Sequence, residues 1–180
     1  LPEKVLSNDE LARLYPEWTA ERIFEKTGIR QRHICADGET ALDLAGKACA
    51  ELFRDGQVDR GSVDFLLLCT QSPDYFLPTS ACILQARLGL SRGCGALDFN
   101  LGCSGYVYGL SLAKGLVACG VARRVLLVTA ETYSRFIHPM DKSARTIFGD
   151  GAAATLIEAG GQPGIGEFAL GTDGAGSRNL

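Results

Sequence analysis

Phe65-Leu66-Leu67-Leu68-Cys69 is an unbroken apolar run with polar residues at both ends. A strand that shows one face to water alternates apolar with polar side chains, whereas a run without alternation fits a strand covered on both faces, as in a parallel sheet. Val125-Leu126-Leu127-Val128-Thr129 repeats the pattern. Helical signals lie before and between these runs. Ser7-Asn8-Asp9-Glu10 offers cap oxygens before a helix over about 8–14, and Pro16 is expected to open a second helix that reaches Lys26 and stops at Gly28. Leu42, Ala45, Ala48, Cys49 and Leu52 recur at three- and four-residue steps, which predicts a helix from Glu39 to Phe53 with Gly56 as its stop. A helix over about 79–88, a strand from Gly95 to Asn100 and a helix from about Cys103 to Cys119 complete an alternation of β and α. After the turn residues Gly149-Asp150-Gly151, two further strands are expected, Ala152 to Ile157 and Gly164 to Leu170, as a hairpin joined by Gly160-Gly161-Gln162-Pro163. The pattern predicts one α/β domain with helices on both faces of a mixed, mostly parallel sheet, and ligands at the carboxyl ends of its strands.

Composition narrows the function classes. The chain has 180 residues, 46% apolar and 22% charged, which suits one packed core and lacks the signature of disorder. A net charge of −3 is too low in surface cations for a nucleic-acid or anionic-membrane partner. No apolar run approaches the roughly 18 residues that span a bilayer, and Leu1-Pro2-Glu3-Lys4 has no signal-like segment, so a cytoplasmic protein is expected. The seven cysteines (35, 49, 69, 82, 94, 103 and 119) are odd in number and widely spaced, which suits reduced thiols, most of them buried. They contain no Cys-x-x-Cys and no paired zinc spacing, so no metal is expected. Gly149-Asp150-Gly151-Ala152 precedes a strand rather than opening a helix, so it is no dinucleotide fingerprint. A first residue other than Met and a loop-like end, Gly174 to Leu180, lead us to expect a piece of a longer protein.

The stretch Leu97-Asp98-Phe99-Asn100-Leu101-Gly102-Cys103-Ser104-Gly105-Tyr106 is the most specific one. A strand ends, Gly102 allows a tight turn, and a thiol falls at the first residues of a helix. Unpaired amides and the helix dipole at such an end stabilise a thiolate, which is the nucleophilic form. A lone cysteine among glycines is more often a small packing residue. The strand-to-helix elbow in an α/β chain tips the reading toward a nucleophile.

At these residues the chain resembles the beta-ketoacyl-acyl carrier protein synthase III branch of the thiolase-like superfamily. The resemblance rests on four strings: Thr27-Gly28-Ile29-Arg30-Gln31-Arg32-His33-Ile34, Leu77-Pro78-Thr79-Ser80-Ala81-Cys82, the Cys103 elbow, and Phe148-Gly149-Asp150-Gly151-Ala152. It implies that residues 1–180 are the N-terminal, nucleophile-bearing half of a thiolase-like fold whose C-terminal half is absent from this chain. It also implies a two-step reaction. Cys103 takes an acyl group from an acyl-coenzyme A primer, and the acyl-enzyme condenses with malonyl-acyl carrier protein with loss of carbon dioxide. The family's catalytic His and Asn come from the second half, and neither His33 nor His138 stands in a matching motif. His33 is expected to make a structural hydrogen bond and His138 to sit in a loop. The isolated chain is therefore expected not to condense.

By the same resemblance, Arg22, Lys26, Arg30 and Lys142 match positions at the mouth of the coenzyme A tunnel, with Arg145 of similar standing. Arg22 departs from a Trp found in several relatives, and Trp18 one turn earlier is a second stacking candidate. Solvated surface charge is the competing reading. Leu77 matches a position that reaches across a dimer interface to line the acyl pocket, often as Phe, and its smaller size implies a primer larger than acetyl. Phe148 and Ile147 line that pocket or belong to the core. Beyond the acyl-coenzyme A substrate no cofactor is implied, and a homodimer is the family habit. A hydroxymethylglutaryl-coenzyme A synthase or a thiolase-fold acyltransferase of secondary metabolism shares the same elbow. A non-catalytic interaction subunit would fit a chain that had lost its cysteine.

Overall fold

The structure, a computed structural model, describes residues 1–161 and 164–179. Its centre is a four-stranded sheet in the order β4-β3-β5-β6, built from β3 (Phe65–Cys69), β4 (Gly95–Phe99), β5 (Arg124–Glu131) and β6 (Gly151–Glu158). β3 runs parallel to β4 and to β5, and β6 returns antiparallel to β5. The two apolar runs of the sequence thus become the two central strands, and Leu66, Leu67 and Leu68 are all but fully buried. Each such leucine stabilises the fold by about 1.5–3 kcal/mol relative to an exposed one.

Helices cover both faces. Helix α3 (Ala41–Leu52) and helix α4 (Ser80–Leu88) bury Leu42, Ala45, Cys49 and Leu84 against Leu66, Leu68, Leu126 and Val128. Helix α5 (Gly105–Ala118) lies on the other face, where Ala113 packs on Leu67, Val125 and Leu127. Helix α4 starts where it does because Asp98, on β4, accepts hydrogen bonds from the Ser80 and Ala81 amides at 2.7 and 2.6 Å. Thr79, its own N-cap residue, makes no side-chain cap.

A second small layer stands beside the sheet. β1 (Val5–Ser7) pairs antiparallel with β2 (Gln31–His33), and helix α1 (Asn8–Leu14) and helix α2 (Ala20–Thr27) pack Leu11, Tyr15 and Ile23 together with Leu6. Three-residue strands are too short to show a period, and the sequence reading has no place for them. It likewise omits helix α6 (Lys142–Ile147), capped by the Asp141 carboxylate.

Three expectations are corrected. The second helix opens at Ala20, not at Pro16, because the chain first makes a turn in which the Trp18 amide bonds to the Tyr15 carbonyl, and Thr19 then caps Arg22. The stop of α3 comes at Phe53, three residues before Gly56. Gly164 to Leu170 forms no strand. Lys114 of α5 donates to the Gly166 carbonyl at 2.7 Å and Tyr108 to the Gly171 carbonyl at 3.1 Å, so this segment follows α5 instead of pairing with β6. Gln162 and Pro163 of the expected hairpin turn, and Leu180 of the expected loop-like end, lie outside the described residues. From Gly174 to Asn179 that end is a 3-10 turn.

Candidate active site

β3, β4 and β5 are parallel, so their carboxyl ends share one edge of the sheet, and β6, being antiparallel, starts at the same edge. In sheet order that edge carries Cys103 beyond β4, Gln71 beyond β3, Tyr133 beyond β5 and Phe148 before β6. Four segments distant in sequence therefore form one row, in which Gly102, the residue before Cys103, meets Gln71, Gln71 meets Tyr133 and Tyr133 meets Phe148. A Cβ placed on Gly102 would lie 2.9 Å from the Gln71 Oε1. The Tyr133 hydroxyl donates to that same oxygen. The Tyr133 and Phe148 rings are stacked with centroids 5.2 Å apart.

Cys103 is exposed, in the turn between β4 and α5. The helix begins at Gly105, two residues later than the sequence suggests, after a turn closed by the Gly105 amide on the Gly102 carbonyl at 2.8 Å. Glycine is needed less for turn geometry than for contact. A Cβ on Gly105 would overlap the Cys69 sulfur, and one on Gly109 would come within 2.5 Å of Leu127 Cδ1. These two positions, one helical turn apart, let α5 lie directly on the sheet. The Cys69 thiol in turn donates to the Leu101 carbonyl at 3.1 Å, which ties the turn to β3.

Beneath the row sits Glu131, the last residue of β5. Its carboxylate accepts from the Gln71 amide and from the Ser72 hydroxyl, both at 2.7 Å. Burial pushes its pKa up against these hydrogen bonds, which act to lower it. The Tyr133 phenol is also raised, first by burial and then by the negative charge of Glu131. Gln71, Glu131 and Tyr133 are absent from the sequence reading. The usable signal was their place directly after apolar runs that end at the ligand-binding edge of such sheets.

The Phe148-Gly149-Asp150-Gly151-Ala152 string acts as a lock. The buried Asp150 carboxylate accepts from the Cys35 amide at 2.7 Å, the Ser134 amide at 2.9 Å and the Ser134 hydroxyl at 2.5 Å. Gly149 is no simple turn former. A side chain there would meet the His33 carbonyl at 2.8 Å. The string thus holds the Tyr133 turn and β2 against the start of β6, with Phe148 at its head.

The basic residues occupy another region. Arg22 and Lys26 are exposed one turn apart on α2, Arg30 lies over the Phe24 ring at 4.4 Å, and Lys142 pairs with Glu17. Helices α2, which carries Arg22 and Lys26, and α6, which begins with Lys142, are in contact. Arg145 donates to the Pro139 carbonyl at 3.0 Å beside a cavity of about 420 Å³ that Phe148 also lines. Trp18 is half-buried against the α1–α2 cluster. Leu77 is exposed, next to the fully exposed Phe76. Ile147 is exposed too, and Phe148 is 42% exposed, so neither is plain core.

His33 Nδ1 lies 2.7 Å from the Pro2 carbonyl and His138 Nδ1 accepts from the Met140 amide, both structural roles. The cysteines are free. Cys35, Cys49 and Cys69 are buried and Cys94 half-buried, but Cys82 and Cys119 are exposed like Cys103, which corrects the expectation that most are buried. Burial pushes the Cys49 thiol up to about 12. Among the described residues no group of three His, Cys, Asp or Glu side chains is placed to hold a metal ion, and no helix is long and apolar enough to cross a membrane.

Comparison with known proteins agrees with this geometry. The sequence model of the family described as 3-Oxoacyl-[acyl-carrier-protein (ACP)] synthase III matches residues 97–174. A beta-ketoacyl-[acyl-carrier-protein] synthase III from Xanthomonas euvesicatoria pv. vesicatoria is 43% identical over 97% of this chain and 53% of its own length. A crystal structure of a 3-oxoacyl-(acyl-carrier-protein) synthase III at 63% identity superposes with a TM-score of 0.97, covering 100% of this chain and 54% of that one. The priming beta-ketosynthase of the R1128 polyketide pathway is 31% identical with a TM-score of 0.90, over 97% of this chain and 52% of that one. The chain spans about half the length of the relatives it matches. By fold, by the Cys103 elbow and by these likenesses, the chain is similar over nearly its whole length to beta-ketoacyl-acyl carrier protein synthase III proteins.

Proposed function

We propose that residues 1–180 form the N-terminal, nucleophile-bearing half of an acyltransferase that condenses an acyl-coenzyme A primer with malonyl-acyl carrier protein in fatty acid or related biosynthesis. The observation that carries this reading is an exposed Cys103 at the carboxyl edge of the parallel sheet, seated where α5 starts over Cys69. In the first step the Cys103 thiolate attacks the thioester carbonyl, a carbon–sulfur bond forms to the enzyme, the bond to coenzyme A breaks, and the coenzyme leaves as its thiol. In the second step malonyl-acyl carrier protein loses carbon dioxide, the resulting carbanion attacks the acyl-Cys103 thioester, and the cysteine leaves as thiolate. A His and an Asn of the second half would bind the enolate oxygen.

Arg22, Lys26, Arg30 and Lys142 are the proposed contacts of the coenzyme A phosphates and adenine, and the Glu17 carboxylate on Lys142 would have to yield to a phosphate. Leu77 and Phe148 are the proposed acyl-pocket residues, with Leu77 offered to the partner copy of a homodimer and the primer larger than acetyl. The enzyme would be cytoplasmic and would need no cofactor beyond its thioester substrate. The likeness to the R1128 priming beta-ketosynthase favours one second reading, the same chemistry in secondary metabolism.

Incubation of the full-length protein with acyl-coenzyme A should add one acyl mass to the peptide that contains Cys103. Cys103→Ser should remove the adduct and lower condensation by several orders of magnitude. An adduct of equal yield on the Ser variant would defeat the assignment. The isolated 180-residue chain should show no malonyl-dependent extension, and measurable extension would disprove the division of labour between the halves.

A further inference from the structure

The row along the sheet edge contains a polar group that an alkyl pocket does not need. The Gln71 carboxamide lies against Gly102, so it is one residue from the thiol of Cys103, and adjacent Cα atoms are about 3.8 Å apart. Its Oε1 is taken by the Tyr133 hydroxyl and its backbone amide by Glu131. Both bonds restrict how the side chain can turn. Among the described residues its Nε2 has no hydrogen-bond partner, and the residue is exposed, so two N–H donors are open to a group bound on this side of Gly102.

The Tyr133–Phe148 stack makes the next part of the same wall apolar. A saturated acyl chain laid along this wall would satisfy the stack but bury the amide donors without partners. That costs about 1–3 kcal/mol for a buried unpaired group. An acyl group with an oxygen two or three bonds from the thioester carbon would put an acceptor beside the amide and its remaining carbons on the rings. Sites built around a substrate hydroxyl reject the analogue that lacks it far better than apolar pockets sort chain lengths.

We propose that Gln71 is a specificity-determining residue of the acyl site, with Tyr133 as its positioning residue, and that the site takes short primers carrying a hydroxyl or keto oxygen near the thioester in preference to plain alkyl primers. The proposal rests on Cys103 being the acyl acceptor. It adds a substrate class that the Leu77 argument, which concerns size alone, does not contain.

The test uses the full-length protein and two thioesters of equal carbon number, 3-hydroxybutyryl- and butyryl-coenzyme A, with acylation of Cys103 followed by intact mass over time. The wild type should acylate with the hydroxylated primer about tenfold faster or more. Gln71→Leu should bring the two rates together. Gln71→Glu, which keeps the length but loses the donors, should do the same, and Tyr133→Phe, which keeps the ring stack, should narrow the ratio. Gln71 is exposed, so these variants should fold, which unchanged melting temperatures would verify. Equal wild-type rates, or a faster butyryl reaction, overturn the proposal and leave Cys103 in its role. A Gln71→Leu variant that slows both primers equally also overturns it, because the amide would then serve the thioester common to both. Failure of both primers to label Cys103 overturns the acyl-acceptor reading itself.

Discussion

Asp150 makes three hydrogen bonds from a buried carboxylate, and none of its partners is a cation. Its contribution is geometric, because it satisfies the Cys35 and Ser134 amides where two chain segments meet the start of β6. Asp150→Ala would leave those donors and the Ser134 hydroxyl unpaired. We expect a loss of about 3 kcal/mol, near 10 °C in melting temperature for a chain of this size, with Asp150→Asn milder because one acceptor survives. Thermal denaturation of the two variants checks this, and an Ala variant as stable as wild type would show that water replaces the carboxylate. Arg32 works in a similar way. It is buried, donates to Asn8 and to the Thr146 carbonyl, and its Nε has no partner among the described residues; burial lowers its pKa.

At the scale of the element, α5 decides where the thiol stands. Gly105 and Gly109 bring its first turns onto Cys69 and Leu127, so the turn that holds Cys103 is pinned from below rather than by a side-chain cap, which Ser104 does not provide. Gly105→Ala should lift the end of the helix. Ala has the better helix propensity, by about 1 kcal/mol, but overlap with a packed sulfur costs about 1–3 kcal/mol and displaces the turn. We expect net destabilisation and slower acylation of Cys103. In a Cys69→Ala background the nearest remaining atom is the Leu101 Cβ at 3.3 Å, a contact that a small shift relieves, so the same change should become much milder. A double variant as impaired as the single one would place the strain elsewhere.

For the whole molecule, acid stability follows from carboxylates on opposite sides of their ordinary values. Backbone amides of Arg123 and Arg124 hold Asp64 below the usual range, and Lys47 with the Ala36 amide does the same for Glu39. A group whose folded pKa is lowered adds stability above its unfolded pKa and loses it as pH falls through the folded value. Glu131 is raised, so its share is present below its unfolded value and is lost as pH rises through the folded one. With the lowered groups in the majority, melting temperature should fall from pH 5 to pH 3, and Asp64→Asn should flatten that slope. A flat wild-type profile would mean that Glu131 cancels the rest. The share of this molecule legible in its amino acids was the part governed by neighbours in the chain. Phe65–Cys69 and Val125–Thr129 announce buried strands by lacking alternation, Ser7 announces a helix start, and Gly102-Cys103-Ser104-Gly105 announces an elbow. Burial and capping are read within one or two turns of chain, so they leave a local trace. The row from Cys103 through Gln71 and Tyr133 to Phe148 leaves none, because each contact joins segments roughly 15 to 60 positions apart and exists only once strand order is chosen. The same holds for β1 with β2, and for Gly164–Leu170, where side chains of α5 claimed backbone that alternation alone would have given to the sheet.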